Sequence, residues 1–100
     1  MDAALRALAH PVRRAMLRAA WDGEQASSDI AGAMRLSRPA TSQHLKVLRS
    51  AGLVHVRVDG NRRLYRVDFD LLADVRTQLE AFWGDRLGRL ATQIEVQRRR

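Results

Sequence analysis

Seven polar side chains in one stretch, Arg38, Thr41, Ser42, Gln43, His44, Lys46 and Arg49, are of the types that read and grip DNA. A glutamine amide pairs in two places with adenine, serine and threonine hydroxyls donate or accept at base edges, and arginine and lysine neutralise phosphates. The flanking residues predict the element that carries them. Ser37 suits a helix N-cap, Pro39 its first turn, and Gly52 a left-handed stop beyond its last. Between those stops Thr41, Leu45 and Leu48 share one face, while Arg38, Ser42, Gln43, Lys46 and Arg49 point elsewhere. A helix with a polar, net positive outer face fits the major groove. Gln43 is the first choice for a base contact, with Ser42, Thr41 and Arg38 next. Thr41 is drawn partly toward the core by its spacing to Leu45, and Lys46 and Arg49 are assigned to phosphates or solvent.

A second basic group follows. Val54, Val56 and Val58 alternate with His55, Arg57 and Asp59. Asp59-Gly60-Asn61 supplies turn chemistry, and Leu64, Tyr65 and Val67 resume beyond it. The pattern predicts a β-hairpin bearing Arg57, Asn61, Arg62, Arg63 and Arg66. Arg62 and Arg63 are the first candidates for phosphate or minor-groove contact, Arg57 and Arg66 the next, and Tyr65 goes to the core. The alternative for any of these arginines is a solvated charge, and about half are expected to matter. His44 has two readings, contact with DNA or packing against this hairpin.

The elements that position these groups are short helices. Ala3, Leu5, Leu8 and Ala9 form a helical pattern that stops near His10-Pro11. Val12, Ala15, Met16 and Ala19 form a second stripe, ended by Asp22-Gly23. Ser27 or Ser28 is expected to cap a third helix through Ile30, Ala31 and Met34, and Leu36-Ser37 links it tightly to the reading helix. Two short helices so joined make a helix-turn-helix, and the hairpin adds a wing. From Asp70 a long stripe runs through Leu72, Val75, Leu79, Phe82, Trp83, Leu87, Leu90 and Ile94. Gly84 and Gly88 each cost about 1 kcal/mol in a helix interior, which leaves its continuity open. The stripe exceeds what one small core needs. Leu5, Leu8, Leu72, Val75, Leu79, Phe82, Trp83, Leu87 and Leu90 are therefore expected to pack against a second copy.

Composition bounds the function. One hundred residues suit one domain, assigned to residues 1–97, with a disordered basic end at 98–100. Eighteen Lys and Arg against eleven Asp and Glu give a formal charge of +7, which favours polyanionic partners. The chain has no cysteine, so disulfides and thiolate metal sites are excluded. No apolar run approaches the roughly 20 residues that span a bilayer, so no membrane partner is expected and the cytoplasm is the expected compartment. Paired carboxylates in a cleft are absent, and Ser42 and His44 sit on different faces of one helix, so an enzyme is not expected. RNA binding lacks the clustered aromatics that stack bases.

Four local matches make the chain resemble the ArsR/SmtB family of bacterial winged-helix repressors: Leu8-Ala9-His10-Pro11-Val12-Arg13-Arg14, Ser37 through Leu48, Ala51-Gly52-Leu53-Val54, and Asp59 through Tyr65. The resemblance implies a mainly α fold with a small β-hairpin, a winged helix-turn-helix dimeric through its first and last helices. It also implies a homodimeric repressor on an inverted-repeat operator in double-stranded DNA, bound in the nucleoid, with successive major grooves about 34 Å apart. Metal-sensing members carry cysteines in the third helix or a histidine and carboxylate set in the last. This chain has Ser27, Ser28 and Asp29 in the first place and no histidine beyond His55. His10, His44 and His55 are expected to lie apart, so neither metal nor cofactor is expected, and an effector, if used, is not named by the sequence. The competing function is a protein-interaction module that docks a different protein on Phe82 and Trp83, with only non-specific DNA affinity.

Overall fold

In a computed structural model, which describes residues 1–99 and only the backbone at positions 85 and 87, five helices enclose a small sheet. The elements are α1 (Asp2–Leu8), α2 (Pro11–Ala19), β1 (Gln25–Ala26), α3 (Ser27–Met34), α4 (Arg38–Ser50), β2 (Val54–Asp59), β3 (Arg62–Val67) and α5 (Phe69–Arg98). The helix boundaries follow from local chemistry. His10, held extended because a proline follows it, accepts the Val12 N–H on Nδ1 at 3.2 Å, and Pro11 opens α2. Ser37 Oγ accepts the Ala40 N–H at 3.2 Å to start α4. Gly52, at φ +80, ends it, and the Leu53 N–H returns to the Leu48 carbonyl at 2.9 Å, satisfying a carbonyl the helix leaves open.

The link between α3 and α4 has the same form with a less tolerant residue. Arg35 takes the left-handed conformation at φ 56, and the Leu36 N–H bonds the Ala31 carbonyl at 3.1 Å. Neither Ser27 nor Ser28 caps α3. Its N-cap is Ala26, which makes no side-chain bond, because the residues ahead of the helix are extended as β1. β1 is too short to show alternation, and it pairs Gln25 with Tyr65 and Ala26 with Leu64. The expected hairpin is thus a three-stranded antiparallel sheet in the order β1-β3-β2. The tip is Gly60-Asn61, with Gly60 at φ +61. As the central strand, β3 buries the successive residues Leu64 and Tyr65, whereas Val58, out toward the tip, is 69% exposed.

Thr41, Leu45 and Leu48 bring the buried face of α4 to a core shared with Ala4, Ala7, Met16, Ile30, Leu53 and Val54. Leu17 and Ala20 join that core and lay outside the expected stripe of α2. Asp68 accepts the Leu71 N–H at 2.9 Å and starts α5 earlier than Asp70. The helix then runs unbroken through Gly84 and Gly88 for 30 residues, about 45 Å at the usual rise. Val75 is 3% exposed within the single chain, so it belongs to this core and offers little to a second copy. Beyond Leu79 the helix leaves the body, which stretches the molecule to 67 × 25 × 22 Å. Arg98 lies inside α5 and Arg99 ends it, so the basic end is helical that far. Arg100 and the Leu87 side chain fall outside the described residues.

Candidate nucleic-acid interface

The winged arrangement brings together two basic groups that are distant in sequence. Arg38, Thr41 and Ser42 of α4 face Asn61, Arg62 and Arg63 of the wing across a cleft of about 370 Å³, with Ser27 and Ser28 of α3 at its edge. The uncapped first turn of α3 is thereby set beside three arginines. Gln43 projects from α4 opposite the buried face and lines a second, shallower groove with Lys46, Val47 and Ser50. Arg6 of α1 lines that groove too, and sequence reading missed it, because α1 offered a dimer stripe and no polar pattern. Gln43 therefore shares its groove with two cations, Arg6 and Lys46.

Long-range contacts sort the expected contact residues. Thr41 is 2% exposed and its hydroxyl donates back to the Ser37 carbonyl at 2.9 Å, so it is a core residue that only touches the floor of the cleft and has no free hydroxyl proton for a base. His44 packs against α2 rather than the wing. Its ring centroid lies 4.8 Å from that of His10, and its Nδ1 accepts from Arg13 Nε at 3.3 Å. Burial, His10 and Arg13 together hold its pKa below the ordinary histidine value. Arg57 Nε lies 3.0 and 2.8 Å from the two carboxylate oxygens of Glu24, which is held below its usual pKa chiefly by that bond. Arg62 reaches Asp29 at 3.3 Å. Arg38, Lys46, Arg49, Arg63 and Arg66 are exposed and form no ion pair among the described residues.

The histidines are less scattered than expected, since His10 and His44 meet. The group beside them is a guanidinium and not a carboxylate. His55 instead bonds Asp68 at 2.6 Å, which together with the Leu71 amide holds the Asp68 carboxyl below its usual pKa. Among the described residues no three His, Cys, Asp or Glu side chains converge as metal ligands would. The described helices also include none long and apolar enough to cross a membrane.

Residues 10–56, from the cap of α2 into β2, match the family described as bacterial regulatory protein, arsR family. The HTH-type transcriptional regulator Rv2034 of Mycobacterium tuberculosis is 44% identical over 94 residues, covering 94% of this chain and 88% of that one. The chain belongs to the ArsR family. A crystal structure described as a possible transcriptional regulator for arsenical resistance superposes on this ArsR-family chain with a TM-score of 0.78. It has 41% identity and covers 93% of this chain and 96% of that one. A Mycobacterium bovis domain described as a homodimeric winged helix-turn-helix DNA-binding domain gives a TM-score of 0.69 at 29% identity, over 86% and 80% of the two chains. The ArsR-family chain is accordingly a winged-helix transcriptional regulator that binds DNA, and not an enzyme.

Proposed function

We propose that this ArsR-family regulator represses transcription as a homodimer on an imperfect inverted repeat, bound to the nucleoid. The observation that carries the reading is Gln43 on the solvent-facing crest of α4, in one groove with Arg6 and Lys46, which form no ion pair among the described residues. In this arrangement α4 enters the major groove, Gln43 contacts a base, and Ser42 and Arg38 read beside it. Lys46, Arg49 and Arg6 meet phosphates along one strand. Arg63, Arg66 and Asn61 grip the backbone or minor groove next to it, Arg62 joins them once its exposed, single contact with Asp29 gives way, and the open amides at the start of α3 suit a phosphate oxygen in the cleft between. The second copy packs on α1 and α5, where Leu5, Leu79, Phe82 and Trp83 line an apolar recess and Leu90 extends the stripe, whereas Leu8 and Leu72 pack against the chain's own core and line a separate cleft toward α2.

Selection of bound duplexes from a random pool, run on the wild type and Gln43→Ala, tests this. An enriched inverted repeat, relaxed at one position per half-site in the variant at a cost of about 1–3 kcal/mol in discrimination, is expected. Enrichment of nothing, with weak and steeply salt-dependent binding, would sink it. It would favour the second reading, in which Phe82 and Trp83, 47% and 49% exposed, dock a different protein.

A further inference from the structure

A cleft of about 440 Å³ lies between α2 and α5, outside the surface assigned to DNA. Its floor includes Leu17 and Leu72, and its wall is the pair of Trp21 and Phe69, whose rings meet edge to face at 4.8 Å and 84°. Both aromatics remain about half exposed, at 48% and 47%, so this much apolar surface is left in water after folding. The volume is in the range of small-molecule sites, which combine an apolar lining with a few placed polar groups.

Those polar groups are all cationic here. Arg14, Arg18 and Arg76 line the cleft. Arg14 donates to the Leu8 carbonyl at 2.7 Å, which leaves its charge uncompensated, and Arg76 is paired with Glu80 at 2.8 Å. Arg18 makes no ion pair among the described residues, although Asp22 stands near it and Trp21 at the outer edge. Counting Glu80 and Asp22, the rim keeps an excess positive charge. A neutral apolar guest would use the aromatic wall and ignore the rim, and a small inorganic anion would do the reverse.

We infer that this cleft binds an amphipathic organic anion, with a carboxylate held by Arg18 beside Arg14 and an alkyl or aryl body laid over Trp21 and Phe69. Binding of this kind stands whether or not the operator reading holds. Its link to DNA does rest on that reading. α2 also carries Arg13, which bonds His44 on α4 at 3.3 Å, so a guest that moves α2 against α5 acts on the reading helix through that bond.

The test uses the intact chain, titrated by calorimetry with octanoate, octanol and acetate at matched ionic strength. Trp21 emission is followed in parallel in Trp83→Phe, which leaves Trp21 as the sole tryptophan. Octanoate should bind saturably and change Trp21 emission, octanol should bind roughly tenfold more weakly, and acetate should not bind. Arg18→Gln, an exposed substitution that leaves the fold intact, should weaken octanoate roughly tenfold, as loss of a charge-assisted bond implies, and leave octanol unchanged. No saturable octanoate signal, equal binding of octanol, or indifference to Arg18→Gln overturns the proposal. So does a Trp21 emission that shifts with protein concentration while the chain takes up no octanoate, because a second copy would then occupy the cleft. Since no DNA is present, failure here is distinct from failure of the operator reading.

Discussion

At the scale of single residues, what matters is whether a cation is free when DNA arrives. Arg57 and Arg63 have the same side chain on one hairpin, yet Arg57 is held against both oxygens of Glu24 and Arg63 has no ion pair among the described residues. Arg63→Ala is expected to weaken all duplexes alike and to lower the slope of log affinity against log salt by about one, whereas Arg57→Ala leaves that slope unchanged. Equal slopes for the two variants would show that the Glu24 contact does not withhold Arg57. His44 gives a pH-dependent prediction. Its folded pKa lies below the unfolded value of 6.5, so the unfolded chain binds more protons in that window. The contribution to stability is fully present above the unfolded value and is lost as pH falls through the lowered folded one. Urea midpoints measured from about pH 7 to about pH 5 should fall in the wild type and fall less in His44→Gln. Asp68 is also depressed, but from 3.8, so its contribution is lost in a separate, more acidic window.

At the scale of elements, the caps of α4 decide whether its exposed polar face is presented in one orientation. Ser37→Ala removes the acceptor for the Ala40 amide and should cost about 1 kcal/mol in denaturant unfolding. Gly52→Ala is expected to be at least as costly, about 1–2 kcal/mol. It forces a side chain into φ +80 and places a Cβ 3.3 Å from Leu71 Cδ2 on α5. If Gly52→Ala leaves the unfolding midpoint unmoved, the left-handed stop is not what joins α4 to the sheet. These two caps were readable because each is set by residues within one turn. The start of α3 was not, although Ser27 and Ser28 have the right chemistry. Pairing of Gln25 and Ala26 with Tyr65 and Leu64, far along the chain, sets the backbone that leads into it.

At the scale of the whole molecule, α5 divides its labour along its length. Its first turns close the chain's core at Val75, Phe82 and Trp83 follow at the edge of α1, and Leu90 and Ile94 lie beyond it, each of the four 44–52% exposed. Such a row is costly to leave in water, and a symmetric second copy is the ordinary way to cover it. Trp83→Ala should shift sedimentation toward monomer and weaken operator binding together, because each half-site then binds alone. A variant that stays dimeric at low micromolar concentration would remove Trp83 from the interface.

The sequence by itself determined the order of helices, α4 with both its stops, the wing and the surplus of positive charge. These depend on periodicity, caps and turns, which are relations among near neighbours. Tertiary structure alone decided which polar groups are available. Arg13 claims His44 from 31 positions away, and Glu24 and Asp29 engage Arg57 and Arg62 from 33. It also set Arg6 beside Gln43 and joined α3, α4 and the wing in one cleft. Ion pairs and clefts form between residues brought together by packing of the core, and no local spacing in the chain records that proximity.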